Sequence, residues 1–383
     1  MLAPAALGLS FTVAGALAGH PLFESKIGFM SSSVGPASAL HASSTENTTD
    51  WDPFARPHGD QDKRWVTVDA SSGLGVHGIA LWPDKTIKYC YKDVTSKGKL
   101  YDLVIEGMKL WYTAGLDESF KMVEVSDSEC HNNRYNVLLI DYDPPRSAGG
   151  KSTLSTTTAK PNIAPSSMTL SDDATVGMLD VTANVAHEIG HAWGLYHEHQ
   201  NPYFWASNYG GKPGTTFSSI NWVCNNLADY EEALTKIDKK IAEDPSGLGE
   251  ITYGPQKESM CTSRNIARTW GFSAAEYLPL GDQDSYKPGT EDTEDVDWES
   301  IMLYPTGAGG KTDSSGNRAR VLFKTNGDPI LPNLRPSVRD VAGLTTLYGT
   351  SDYTETLLQD PREPRQGRFA SVRNDDTGVS CNR

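Results

Sequence analysis

Leu100, Val104, Met108 and Trp111 recur at helical spacing and fall on one stripe, which predicts an amphipathic helix packed on a core. Just before it, residues 81–91 (LWPDKTIKYCY) alternate apolar and polar from Ile87 onward, as a strand does. Residues 121–125 and 136–142 read as further strands, the second with the apolar run of a buried one, and residues 167–170 as another. A helix then begins near Asp180 or Thr182, either of which can cap it. On it, Val185, Ile189 and Ala192 face the core while His187, Glu188 and His191 face a cleft. Leu227, Tyr230, Leu234, Ile237 and Ile241 predict a second amphipathic helix. The stretch Ser337-Val338-Arg339-Asp340 has the look of a helix N-cap with an acidic first turn, followed by Val341, Leu344, Leu347 and Tyr348. Strands and helices in this order describe an α+β domain.

The ends of the chain lack such periodicity. Residues 2–18 are small and apolar, too short to span a bilayer comfortably, and finish in a small-x-small pattern, so residues 1–18 are expected to be a signal peptide. Residues 19–64 are rich in Ser, Pro, Gly and Asp and read as a prosegment, closed by the dibasic pair Lys63-Arg64, where a processing protease would cut. A sequon at Asn47 lies inside that prosegment. Residues 65–350 form the expected main domain, with an insertion at about 205–295, and residues 351–383 a loose tail. The expected location is therefore secreted and extracellular.

Charge and cysteine content narrow the classes further. The 383 residues carry a net charge of −15 with the acids scattered, so no basic patch points to nucleic acid, and no other apolar run reaches membrane-spanning length. No nucleic-acid or membrane partner is expected, and a monomer is. Five cysteines with one left over allow about fifteen two-bridge arrangements. Proximity favours Cys90 with Cys130 and Cys224 with Cys261, leaving Cys381 free or intermolecular.

The chemistry concentrates in residues 187–198, HEIGHAWGLYHE. His187 and His191 stand one helical turn apart on one face and can share a metal ion. Gly194 can adopt the left-handed conformation that ends the helix and returns His197 beneath the same ion. Three neutral imidazoles with one open position describe a catalytic Zn²⁺ site rather than a structural one.

The long form HExxHxxGxxHE resembles the metzincin metalloproteases, and Glu198 directly after the third histidine points to the astacin branch. Ser300-Ile301-Met302-Leu303-Tyr304 resembles the astacin Met-turn with its following tyrosine. The resemblance implies a metzincin (zincin-like) fold: a mixed twisted sheet plus an active-site helix, with a zinc cleft between upper and lower halves. It also implies that residues 151–155 form an edge strand that holds extended substrate, although a plain surface loop is an equal reading.

Further implications concern individual residues. Glu188 is the expected general base, Tyr304 a gate that ligates zinc at rest and later steadies the oxyanion, and Met302, Gly194 and Glu198 structural residues of the site. Glu198 would contact the new N-terminus. Asp60, in Gly59-Asp60, resembles the propeptide aspartate that fills the open zinc position, beside the reading as a solvated loop aspartate. The family's cysteine at the end of its first long helix has no counterpart near Phe120, so the bridges should differ from the family's. The expected function is a secreted zinc endopeptidase acting on proteins or peptides. The alternative is a catalytically silent metzincin-fold binding protein.

Overall fold

The computed structural model describes residues 65–69, 81–144, 151–152, 165–174, 177–212, 214–282, 284 and 286–349. The expected signal peptide, the prosegment with Asn47, Asp60 and Lys63-Arg64, Cys381 and the tail lie outside these residues.

A five-stranded mixed sheet organises one half. Strands β2 (Thr86–Tyr91), β3 (Lys121–Glu124), β4 (Leu138–Tyr142), β5 (Lys151–Ser152) and β6 (Ser167–Leu170) lie in the order β3-β2-β4-β6-β5. All neighbours run parallel except β5, which pairs antiparallel with β6 at the edge. Of the edge strand expected over 151–155, residues 151–152 pair with β6, and 153–155 lie outside the described residues. Helix α1 (Val94–Thr113) follows β2, and its predicted stripe of Leu100, Val104, Met108 and Trp111 is buried. Asp93 caps it by accepting from the Ser96 N–H at 2.7 Å. Beyond β3, the short helix α2 (Asp127–Asn132) carries Cys130 into a bridge with Cys90. The expectation of a single strand over 136–142 is shortened in the structure, because residues 134–136 wind into a 3₁₀ turn and β4 starts at Leu138.

Helix α3 (Val181–Trp193) crosses α1 closely. At the crossing a Cβ on Gly107 would lie 2.8 Å from the Val185 Cγ1 methyl, so only glycine permits this approach. The indole N–H groups of Trp111 and Trp82 donate to the Ala186 and Ala192 carbonyls of α3, at 2.8 and 2.7 Å. Of the two possible caps, Asp180 acts, accepting from Ala183 N–H at 2.8 Å.

Residues 204–330 build a second core around Trp205, Phe217, Trp222, Ile237, Phe272 and Tyr277. The span read as an insertion therefore supplies most of a core of its own. It contains α4 (Tyr230–Ala242), α5 (Gly249–Ser259) and α6 (Arg264–Thr269), and Cys224 is bridged to Cys261. Leu227, expected on the α4 stripe, precedes the helix and is buried in the turn before it. Both favoured disulfide pairings are present.

Helices α2, α5 and α6 escaped the sequence reading, and so did two short strands. Strand β1 (Val66–Val68) pairs antiparallel with β7 (Tyr286–Pro288) in a separate two-stranded sheet. Trp65 is buried and its indole lies against Gly343 of the last helix, α7 (Val338–Gly349). Among the described residues no helix is long and apolar enough to cross a membrane.

Candidate metal centre

Gly194 has φ +110°, and its N–H donates to the carbonyls of Gly190 and His191 as the left-handed residue ending α3. The chain turns back, and Tyr196 N–H pairs with the Val66 carbonyl at 2.8 Å, which steers His197 under the helix. His187, His191 and His197 are all fully buried. The Nε2 atoms of His187 and His191 lie 3.1 Å apart, and those of His191 and His197 3.0 Å. They are the one group of three or more potential metal-ligating side chains among the described residues.

The other ring nitrogens explain why the Nε2 atoms point inward. Nδ1 of His187 lies 2.6 Å from the Ile301 carbonyl, that of His191 2.7 Å from the Leu195 carbonyl, and that of His197 3.2 Å from Gln200 Oε1. All three partners are acceptors, so each Nδ1 carries the proton and each Nε2 presents a bare lone pair. Three converging lone pairs suit a cation. Ligation at about 2.0–2.1 Å in a tetrahedron requires nitrogen separations near 3.3 Å, so the triad fits Zn²⁺ with little adjustment.

The Met-turn supports the triad from below. Met302 is buried, its carbonyl accepts from the Glu198 N–H at 3.0 Å, and Ile301 supplies the acceptor for His187. Its sulfur explains Gly190 in the motif, since a Cβ there would lie 2.6 Å from Met302 Sδ and 3.0 Å from Trp111. The chain changes cores at this point: Ile301 and Met302 pack in the sheet-side core, Leu303 and Tyr304 in the second. Tyr304 is buried, with its ring 4.2 Å from that of His197, 4.9 Å from His199 and 5.2 Å from Tyr277. Glu188 is buried on α3 beside His187.

A buried acidic group lies behind the Met-turn. Glu198 Oε1 accepts from Asp297 N–H at 3.0 Å, and Ser337 Oγ donates to Asp297 Oδ2 at 2.6 Å. Asp340 accepts from Ser300 Oγ, Ile301 N–H and Ser337 N–H, at 2.6, 2.9 and 2.8 Å. Burial, then the neighbouring Asp297, raises the carboxyl of Glu198, and the same two causes push Asp340 up to about 7. Burial holds His199 neutral, down to about 3, while its Nε2–H donates to the Glu276 carbonyl at 3.0 Å.

The structure thus brings together His187, His191, His197, Gly194, Glu198, Met302 and Tyr304, with Glu188 adjacent on the same helix. Asp60 lies outside the described residues. Gln200 and the link from Asp340 to the Met-turn went unseen in the sequence. The one available signal for Asp340 was the Ser337 cap, which gives no hint of a contact 40 residues upstream.

No protein-family profile and no curated protein sequence matches the chain. Among the solved structures that match, two illustrate a distant likeness. High choriolytic enzyme 1, a hatching enzyme zinc-protease from the medaka Oryzias latipes, aligns at 13% identity and a TM-score of 0.37, covering 71% of this chain and 94% of its own. Myroilysin aligns at 16% identity and a TM-score of 0.35, covering 70% and 85%. The chemistry of the site therefore rests on this chain's own residues. Those that carry the astacin resemblance in the sequence meet around one point in space, where they form a three-histidine metal centre.

Proposed function

We propose that the protein is a zinc-dependent endopeptidase of astacin type, secreted as a zymogen and released by cleavage after Arg64. The observation that carries this reading is the convergence of three Nδ1-anchored imidazoles beside Glu188 and Tyr304. Two disulfides suit an oxidising compartment. Trp65, the first residue after the dibasic pair, is buried, so a cut after Arg64 would leave this packed residue on the domain side.

When bound, zinc supplies a Lewis acid and lowers the pKa of a coordinated water to about 7. Glu188 then accepts a proton from water and passes it to the leaving amine as the peptide bond breaks. Tyr304, held against the His197 ring, donates its phenolic hydrogen to the carbonyl oxygen as that atom gains negative charge. Strand β5 offers main-chain groups at the sheet edge to an extended peptide, which would be gripped whatever its side chains.

The test is hydrolysis of an unfolded protein by the processed enzyme, beside Glu188→Ala and Tyr304→Phe made the same way. Expected are no activity for the first and a kcat lowered about 100- to 1,000-fold for the second, the cost of one oxyanion donor. Zinc uptake by the processed wild type without any hydrolysis would instead favour the binding-protein reading.

A further inference from the structure

The three ligands are not anchored alike. His187 and His191 donate to main-chain carbonyls, which no substitution at the acceptor residue removes. His197 alone donates to a side chain, Gln200 Oε1, at 3.2 Å. Gln200 is fully buried, in the 3₁₀ turn Glu198–Gln200 that the third ligand itself opens. Its amide has two jobs of opposite polarity, because Nε2 donates to the Ala275 carbonyl at 3.4 Å. Turning the amide over would set an N–H against the proton on His197 Nδ1 and an oxygen against the Ala275 carbonyl. Both contacts therefore select one orientation, with the acceptor toward the imidazole. Main-chain bonds fix the residue at both ends: its N–H donates to the His197 carbonyl, and its carbonyl accepts from Leu280 N–H, each at 3.0 Å.

We propose that Gln200 is the positioning residue of the third metal ligand, holding His197 in its Nδ1–H tautomer so that Nε2 stays aimed at the metal. The inference rests on the metal-centre reading above. Partners of this kind typically contribute 10- to 100-fold in metal affinity, because they set both ring orientation and ligand basicity. A neutral amide orients the ring without adding negative charge beside the ion. The rigidity of His197 also bears on Tyr304, whose ring rests on it.

The experiment measures the zinc Kd of the processed chain by competition with a chromophoric chelator, and the unfolding midpoint of the metal-free protein. Gln200→Met keeps the side-chain volume but removes the acceptor. Gln200→Glu restores an acceptor toward His197 but cannot donate to Ala275. The expected result is a Kd raised about 10- to 100-fold in Gln200→Met, beyond any change in metal-free stability, with most of the loss recovered in Gln200→Glu. Wild-type affinity in Gln200→Met, or a Gln200→Glu protein as weak as Gln200→Met, overturns the proposal. Should Gln200→Met fail to fold, Gln200→Ser, polar but too short to reach the ring, decides in the same way. A wild-type chain that takes up no zinc overturns the metal-centre reading and this inference with it.

Discussion

Gly190 shows how one atom's absence positions a site. It stands between Glu188 and His191 on α3, where the space a Cβ would need belongs to Met302 Sδ and the Trp111 ring. The Met-turn can therefore approach the helix closely enough for Ile301 to hold His187. Gly190→Ala is expected to destabilise the fold by about 1–3 kcal/mol through overpacking. Met302→Ala would be costly alone, through the cavity it leaves. In a double-mutant cycle by chemical denaturation, Gly190→Ala combined with Met302→Ala should cost less than the sum of the single changes. Additive costs would show that the glycine and the sulfur do not compete for one space.

The element that ties the site together is the N-terminus of α7. Ser337 and Asp340 form a reciprocal cap: Asp340 N–H donates to Ser337 Oγ at 2.9 Å, and Ser337 N–H to Asp340 Oδ2. The same carboxylate holds Ser300 and Ile301, so the helix cap is also the brace of the Met-turn. At the far end of α7, Tyr348 OH donates to the carbonyl of Trp193, the last residue of α3. The cap has a consequence for pH. Folding raises the Asp340 carboxyl from about 3.9 in the unfolded chain to about 7, so the folded state keeps a proton that the unfolded state releases. The stability it contributes is complete below the unfolded value and is lost as pH climbs toward 7. In denaturation of the metal-free protein between pH 5 and 8, that decline should appear as the difference between wild type and Asp340→Asn, because His199, held neutral by burial, contributes in the opposite sense. Asp340→Asn should be less stable at every pH, by about 1–3 kcal/mol for mismatched buried donors, yet by less as pH rises toward 7. A difference that stays constant with pH would remove Asp340 from the explanation.

At the scale of the whole molecule, the metal ligands occupy a seam. His187 and His191 come from a helix of the sheet-side core, whereas the chain after His197 enters the second core at Phe204. The Met-turn crosses the same seam between Met302 and Leu303, and β1 closes it by pairing with β7 and by donating from Val68 N–H to the Gly194 carbonyl. A bound ion would thus join the helix of the sheet-side core to the segment that leads into the second core. Zinc at a hundredfold over its Kd should stabilise the fold by about 2.7 kcal/mol, read as a rise in Tm that a chelator reverses. Acidification should release the ion, since an imidazole must be neutral at Nε2 to bind. Bound zinc measured after dialysis at stepped pH should therefore fall on the acid side. Retention of the ion through strong acid would exclude a site made of three histidines.

How much of this was written along the chain follows from the range of each interaction. Helical spacing placed His187 and His191 on one face, a residue without a Cβ marked the turn at Gly194, and the apolar stripe of α1 and the cap at Ser337 were legible because each involves neighbours within a turn or two. The bridges Cys90–Cys130 and Cys224–Cys261 followed from proximity in the chain. The sequence by itself thus pointed to the candidate ligand set and to the order of the predicted sheet-side strands and helices, and it favoured the two cysteine pairings without fixing them. Only the tertiary structure decided what holds the ligands. Two of the three imidazole partners are main-chain carbonyls, a group every residue carries, and so no residue type announces them. The third, Gln200, reads as an ordinary polar side chain until the 3₁₀ turn aims it. Strand β1 escaped for a related reason: three residues are too few to establish a period, and its partner lies some 220 positions away. Local periodicity reports which face of an element is buried, but a contact across the fold depends on the register of both elements, which packing alone settles.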